Sequence, residues 1–273
     1  MKAIRCEKIG KPSDLVLREI DNLVPEEKEV LIEVKASAVN FPDVLMVQGK
    51  YQYQPPLPFT PGYDVSGIVK EVGKNVKYFK EGDEVFGYAK TGAFAEEAIV
   101  KHNQIFPKPP SMDFPTAASF MLVYGTSYHG LKDRGNLKAG ETLVVLGASG
   151  GVGLAAVELG KIMGAKVIAC ASTDDKLALC KEYGADEVIN YSKEDLKKRI
   201  KELTDGKGAD VIYDPVGGSY SEPALRALAR YGRHLVVGFA AGDIPKIPLN
   251  LALLKECQIV GVFWGQFATK DPN

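Results

Sequence analysis

Apolar residues follow two different rhythms along this chain, and the rhythm changes near residue 120. Before it, Lys2 to Cys6, Leu15 to Ile20, Val30 to Ala36, Asp64 to Val72, Asp83 to Gly87 and Ala93 to Val100 are short apolar runs separated by glycine and proline turns. That is the pattern of strands in a mostly β domain. One short helix interrupts them. Asn40 is placed to cap it, Pro42 falls in its first turn, Asp43 to Val47 continue it and Gly49 stops it. The proline-rich stretch Tyr51 to Pro61 predicts an ordered loop, because prolines stiffen it and its aromatic rings need something to pack on. Asp113 to Gly130 predicts a helical connection that opens on Asp113 and Pro115.

After residue 120 strands and helices alternate. Thr142 to Leu146 is an apolar strand that runs into Gly147-Ala148-Ser149-Gly150-Gly151-Val152-Gly153 and then into a helix from Leu154 to Met163. Lys166 to Ala171, Glu187 to Asn190, Ala209 to Asp214, Arg233 to Gly238 and Gln258 to Phe263 predict five more short strands, mostly separated by helical patterns. The expected class is α/β: a mostly β domain over 1–120, and over 121–273 a doubly wound domain built on a parallel sheet.

Composition adds exclusions. With 273 residues and 45% hydrophobic content the chain can fill two ordinary cores, and a net charge of −1 gives no general attraction to nucleic acid or to an anionic membrane. The basic run Lys193 to Lys201 is interleaved with Glu194 and Asp195 at helical spacing, the pattern of a solvated helix face. Met1 to Lys11 lacks an apolar core of signal-peptide length and no later segment is long and apolar enough to span a bilayer, so a cytoplasmic protein is expected. Cys6, Cys170, Cys180 and Cys257 show no paired spacing, and His102, His129 and His234 lie far apart, so neither a disulfide framework nor a metal ligand set is expected.

The glycine turn carries the first chemistry. Gly150 would let backbone approach a pyrophosphate, Gly153 would let helix and strand pack closely, and the free N–H groups opening the helix would hold the phosphate charge, so Ala148 to Gly153 is a candidate dinucleotide site. A plain packing turn is the other reading. Cofactor choice follows from charge at the end of the second strand. An NAD site usually places a carboxylate there, whereas this strand ends on Ser172-Thr173, where Ser172 can donate to a 2′-phosphate and Lys176 can neutralise it. NADPH is the expected cofactor. Asp174 and Asp175 sit in the first turn of the next helix, where acids complement the dipole.

Val69-Lys70-Glu71-Val72-Gly73, Glu81-Gly82-Asp83-Glu84-Val85, Ala148 to Gly153, Gly184-Ala185-Asp186 and Asp214-Pro215-Val216-Gly217-Gly218 together resemble the medium-chain dehydrogenase/reductase superfamily. Val39-Asn40-Phe41, Gln48-Gly49-Lys50-Tyr51 and Val188-Ile189-Asn190-Tyr191 are similar to its zinc-free, zeta-crystallin-like quinone oxidoreductase branch. The resemblance implies a GroES-like catalytic domain, a Rossmann domain and hydride transfer from NADPH to a quinone or activated enone. Relatives continue for several dozen residues past the sixth sheet strand to complete the β domain, so its C-terminal completion is expected to be missing from a chain ending at Asn273.

Further residues enter through the same resemblance. Where the zinc enzymes of the superfamily place metal ligands, this chain has Asn40, Tyr63 and a residue near Leu122, and Gly87 to Gly92 leaves no room for a structural zinc lobe. Tyr191 would lie beside the 2′-phosphate, and Thr126, Gly238 and Phe263 would line the cofactor; Phe263 and Trp264 either wall the nicotinamide or end a buried strand. For the acceptor, Asn40, Tyr51 and Tyr63 supply polar hydrogens. A tyrosine placed like Tyr51 polarises the carbonyl and supplies a proton in related enoyl-thioester reductases, while its alternative role is loop packing beside Tyr53 and Phe59. An enoyl-thioester or alkenal reductase and a catalytically silent NADPH-binding protein are the competing functions. A homodimer through the edge strand 258–263 is expected, since pairing would cover exposed backbone.

Overall fold

A computed structural model describes residues 1–268, so residues 269–273 of the second expected domain lie outside the described residues. The chain forms two compact units, Met1–Leu122 and a second from Val123 onward.

In the first unit, β1 (Lys2–Arg5) pairs antiparallel with β2 (Val16–Glu19). A five-stranded antiparallel sheet holds β3 (Glu29–Ala36), β4 (Asp64–Val72), β5 (Glu84–Tyr88), β6 (Glu97–Lys101) and β7 (Ile105–Pro107) in the order β6-β3-β4-β5-β7. Val30, Ile32, Val65, Val69, Val85, Ala98 and Val100 fill its core. Alternate residues of each strand face one side, so one apolar face follows from the alternation in sequence. The strand expected over Ala93 to Val100 is split. Ile4 N–H donates to Phe94 O at 2.8 Å and Ala3 bridges Ala95, so these residues serve β1 before the chain joins the larger sheet at Glu97. The short strand β7 escaped the sequence reading because Pro107 and its neighbours leave only three paired residues.

Helix α1 (Phe41–Val47) follows β3, with Pro42 in its first turn as expected. The loop from Tyr51 to Pro61 is ordered. Cys6 and Phe59 exchange backbone bonds at 2.8 and 3.1 Å, and Arg5 donates to Thr60 Oγ1 and Pro58 O. The region Asp113 to Gly130 is two helices, α2 (Phe114–Ala118) and α3 (Met121–Tyr128). Ser119 breaks it by turning its hydroxyl back onto Pro115 O and Thr116 O. A π-helical turn over His129–Arg134 follows.

The second unit alternates β8 (Thr142–Leu146), α4 (Gly151–Ile162), β9 (Lys166–Ala171), α5 (Asp174–Glu182), β10 (Glu187–Asn190), α6 (Leu196–Leu203), β11 (Ala209–Asp214), α7 (Ser221–Arg226), β12 (Leu228–Val236), α8 (Asn250–Lys255) and β13 (Gln258–Gly261), ending in α9 (Trp264–Ala268). All six strands are parallel, in the order β10-β9-β8-β11-β12-β13. On β8, Leu143 and Val145 join one core with α4, while Val144 and Leu146 join another with α6 and α7. Both faces of the strand are covered, which is why its sequence is continuously apolar rather than alternating. Each such side chain contributes about 1.5–3 kcal/mol through burial. Strand β12 begins five residues ahead of the expected Arg233 and ends at Val236, so Gly238 lies in the loop beyond it.

Candidate functional site

The strand order reverses between β8 and β11, the place where open α/β sheets bind ligands beyond the strand ends. The glycine turn occupies that position. Gly147 has φ +57°, and a Cβ on it would meet Val216 Cγ2 at 2.7 Å, so the turns after β8 and β11 touch. Gly153 lies in the first turn of α4, where a Cβ would sit 2.3 Å from Gly147 O and 2.9 Å from Ala148 Cα. Helix and strand pack on the missing side chain. At Gly150, which caps α4, a Cβ would touch only Gly147 O at 3.4 Å. Beyond a modest preference for glycine over alanine at an N-cap, the packing gives no steric reason for that glycine, whereas a ligand backing onto the helix N-terminus would.

Other elements brace this turn. Ala148 is buried and its N–H donates to Cys170 O at 3.0 Å, while Ser149 and Val152 are partly exposed. Ser127 Oγ on α3 donates to Val152 O at 2.8 Å and lies 3.0 Å from the Tyr213 hydroxyl. Thr126, next to Ser127 on α3, thus sits on the helix that supports the glycine turn. Trp264 is buried against Gly125, where an added Cβ would lie 2.6 Å from the indole, and neighbouring Phe263 is half exposed. Gly238 N–H reaches Asp214 O at 3.3 Å, which keeps the loop after β12 against the turn after β11.

The end of β9 gathers the expected phosphate ligands. Lys176 Nζ is 3.4 Å from Ser172 Oγ, both exposed or partly so. Asn190 pairs with Ala171 across β10 and β9, and Tyr191 N–H donates to Ala171 O at 3.2 Å, which sets Tyr191 opposite Ser172. The Tyr191 ring packs on Tyr220 with centroids 4.4 Å apart, beside a cavity of about 660 Å³ that Asp195, Gly218 and Lys246 also line. Asp174 is occupied elsewhere: Asn190 Nδ2 and Lys193 Nζ donate to it at 2.6 and 2.7 Å. Its carboxylate is therefore partnered and turned to its own neighbours.

In the first unit, three polar side chains, those of Asn40, Asp43 and Asp64, come together around α1. Asn40 holds the N-cap position, where its N–H donates to Asp43 Oδ2 at 2.8 Å, but its side-chain amide donates to Asp64 Oδ2 at 3.2 Å instead of capping. Asp43 is buried and also accepts the Gly62 N–H at 3.2 Å. Burial, outweighing these bonds, pushes its carboxyl up to about 6. Asp64 is fully buried; Leu122 N–H donates to its Oδ2 at 3.3 Å, and Oδ1 has no partner among the described residues. Burial pushes this carboxyl up to about 7, with Asp43 adding to the effect. The sequence reading passed over both carboxylates. Only the apolar run after Asp64 hinted that it faced inward.

The two candidate tyrosines are not equivalent. Tyr63 is buried and stacked on Tyr88, 5.9 Å between centroids and 11° between planes; burial first, then Tyr51 and Asp64, raise its phenol far above the ordinary range. Tyr51 is half-buried on a cluster of Cys6, Met46, Val47 and Phe59, and burial followed by the Asp43 charge raises its phenol too. Packing and proton donation are compatible at Tyr51. Among the described residues no group of three or more His, Cys, Asp or Glu side chains is arranged to hold a metal. His129 pairs with Asp133 at 2.8 Å and His234 with Asp214 at 3.1 Å, while all four cysteines are free thiols.

Comparison with known proteins gives two family matches: "Alcohol dehydrogenase GroES-like domain" over residues 26–110 and "Zinc-binding dehydrogenase" over 151–272. The quinone oxidoreductase-like protein 2 homolog of Nematostella vectensis is 42% identical, covering all of this chain and 74% of that protein. Human quinone oxidoreductase is 36% identical over 96% of this chain and 80% of its own length. Among solved structures, Escherichia coli quinone oxidoreductase complexed with NADPH superposes with a TM-score of 0.93 at 32% identity, covering 98% of this chain and 83% of that one.

Proposed function

Because the chain belongs to the zinc-free quinone oxidoreductase branch of the medium-chain dehydrogenase/reductase superfamily, we propose that it is an NADPH-dependent reductase of quinones or activated enones. The observation that carries this reading is the glycine turn at the strand-order reversal, with Gly150 left open in front of α4 and the Ser172–Lys176 pair at the next strand end. These residues fit the cofactor. Gly150, Gly151, Val152 and Gly153 would hold the pyrophosphate with Ser149 beside them, and Ala148 supports them from the core. Ser172, Lys176 and Tyr191 would hold the 2′-phosphate, and Thr126, Gly238 and Phe263 the nicotinamide end.

The name of the family matched over 151–272 carries zinc, but the residues at the expected ligand positions do not suit it. An amide at Asn40, a buried phenol at Tyr63 and the apolar stretch Met121-Leu122-Val123 around the third position do not offer the thiolate and imidazole ligands of a zinc site. Hydride transfer in this protein therefore does without a metal. Without a Lewis acid to stabilise an alkoxide, an acceptor that is already electrophilic is the easier substrate. When bound, reduced NADPH supplies a hydride. The protein's own part is to orient the acceptor carbonyl and provide a proton: Tyr51, kept as a phenol by burial, donates to the developing oxyanion, and Asn40, which spends one Nδ2 hydrogen on Asp64, has the other to offer. Tyr63 shapes the wall through its stack on Tyr88.

The Tyr51 phenol also suits a 2-enoyl or alkenal acceptor, which needs its enolate protonated. Absorbance assays of NADPH consumption with a simple quinone and with an alkenal, in the presence of chelator, separate the readings. Turnover of the quinone is expected. NADPH binding by fluorescence without turnover of either acceptor would instead make the protein a silent cofactor binder. The reading further includes a homodimer through the β13 edge, and the cytoplasm as a compartment that keeps the four thiols reduced. No helix among the described residues is long and apolar enough to cross a membrane.

A further inference from the structure

The Asn40 side chain is tied to a strand of the sheet. It leads α1 from the loop that leaves β3, and its Nδ2 donates to Asp64 Oδ2 at 3.2 Å. Asp64 opens β4, the middle strand of the five, where it pairs opposite Tyr88 on β5 and its backbone carbonyl accepts the Ser37 hydroxyl at 2.7 Å. A loop side chain is thus anchored to a strand residue that is itself held on two sides.

The same contact settles which end of the amide meets the carboxyl. An unheld asparagine amide turns over and offers either its oxygen or its nitrogen. Leu122 N–H donates to the same Asp64 Oδ2 at 3.3 Å, so that oxygen is an acceptor and only the nitrogen of Asn40 fits against it. One Nδ2 hydrogen is spent there. The second is left on a side chain that is partly exposed. Stability alone does not ask for this arrangement, because Asp64 is fully buried and its Oδ1 has no partner among the described residues. An apolar residue would open the strand without that cost.

A donor held in one direction on a partly exposed amide suits a carbonyl oxygen that gains negative charge as hydride arrives. Quinones and enones both present such an oxygen, whereas the Tyr51 phenol matters most where the acceptor is weakly electrophilic. We propose that Asp64 is a positioning residue: it fixes the Asn40 amide so that the second Nδ2 hydrogen is presented to the carbonyl oxygen of the acceptor, quinone and enone alike. This rests on the reductase reading above and adds to it the residue that aims the donor. The task needs only an accepting oxygen at the Oδ2 position and no charge, because two neutral N–H groups are all that meet it.

The test is a double-mutant cycle on rates at saturating NADPH, with duroquinone and cyclohexenone as acceptors. Asp64→Val and Asn40→Ala are each expected to lower kcat/KM for both acceptors by about tenfold or more, and the double variant to be no slower than the slower single one. Asp64→Asn returns an oxygen to the position and should recover most of the loss. NADPH affinity by fluorescence titration should stay within about twofold throughout. A role in folding alone would instead make the effects of Asp64→Val and Asn40→Ala multiply. In protein carrying ¹⁵N-labelled asparagine and bound NADP⁺, the saturated ketone cyclohexanone is expected to move one Asn40 Nδ2 hydrogen and leave its twin, the one on Asp64, in place; Asn40→Ala identifies both signals. If Asp64→Val does not fold, these wild-type resonances decide. The proposal is overturned if the two substitutions multiply, if Asp64→Asn is as slow as Asp64→Val, or if the ketone moves neither hydrogen or both. A wild type that reduces neither acceptor removes the reductase reading, and the shift of a single hydrogen then still decides whether Asp64 aims the amide at a carbonyl.

Discussion

At the scale of single residues, Tyr51 and Tyr63 show how burial divides labour between two identical side chains. Tyr63 is enclosed and stacked, while Tyr51 keeps part of its surface in solvent beside Asp43. Tyr51→Phe keeps the ring that packs on Met46 and Phe59, so the loop should survive. Enone turnover should fall by roughly one to two orders of magnitude, as loss of an oxyanion donor commonly costs, while quinone turnover changes little. Both rates are read on one preparation at saturating NADPH; an unchanged enone rate would return Tyr51 to packing alone. Asp64 makes a thermodynamic prediction. Its carboxyl titrates near 7 in the folded protein and near 3.9 in an unfolded chain, so the native state binds more protons between those values. Stability should therefore fall as pH rises from about 4 to about 7, by on the order of 3 kcal/mol. Asp43, at about 6, acts in the same direction over a narrower window. Urea midpoints for Asp64→Asn should vary much less between pH 5 and pH 8 than those of the wild type, and identical profiles would acquit Asp64. None of this was legible in the sequence. Asp43 reads as an ordinary first-turn acid of a helix and Asp64 as the start of a strand, because a carboxylate's burial is set by chains that arrive from elsewhere.

At the scale of elements, the strand–turn–helix unit around Gly147 to Gly153 was legible almost residue by residue, since glycine requirements there are local. The expected helix start at Leu154 was late; α4 opens at Gly151, because nothing in Gly151-Val152-Gly153 carries the apolar period that marks a helix. The two glycines flanking that start answer to different demands. Gly153→Ala forces a Cβ to within 2.3 Å of Gly147 O and should destabilise the fold by about 1–3 kcal/mol, visible as a lower melting temperature. Gly150→Ala meets only one atom at 3.4 Å, so it should cost about 1 kcal/mol or less, as an alanine cap does, yet weaken NADPH at least tenfold. Equal effects of the two substitutions on melting would contradict this division. The end of β9 gives a companion test. With Lys176 beside Ser172, NADPH should bind at least tenfold more tightly than NADH, about 1.4 kcal/mol, and Lys176→Ala should weaken NADPH while leaving NADH almost unchanged. Fluorescence titration with both cofactors measures it. That Ser172 and Lys176 belong to one corner was readable from the strand end without a carboxylate and the helix that follows it, whereas the diversion of Asp174 to Asn190 and Lys193 was not, since it depends on how β10 lies against α5.

At the scale of the whole molecule, the class and the change from β to α/β near residue 120 followed from apolar periodicity, but strand order did not. Periodicity says that β8 is buried on both faces; it does not say which strands flank it. The same order leaves β13 with a free edge, and Leu249, Leu253 and Leu254, at the start of α8 and on it, are exposed. Light scattering at micromolar concentration should accordingly return twice the mass of one chain, and a monomer at all concentrations would remove the edge-pairing proposal. Placing β8 at the centre also bears on how the sheet is assembled in time. Its pairing with β9 needs only one helix to be crossed, whereas its pairing with β11 must wait until α4, β9, α5, β10 and α6 have all been made and the chain has come back to the other side. Closing the longer loop costs more entropy, so the half made of β8, β9 and β10 is the natural nucleus and the half beginning at β11 condenses on it. The glycine turn after β8 would then be built early, while the buried Asp214, Ser221 and His234, which belong to the later half, would be sealed from water last.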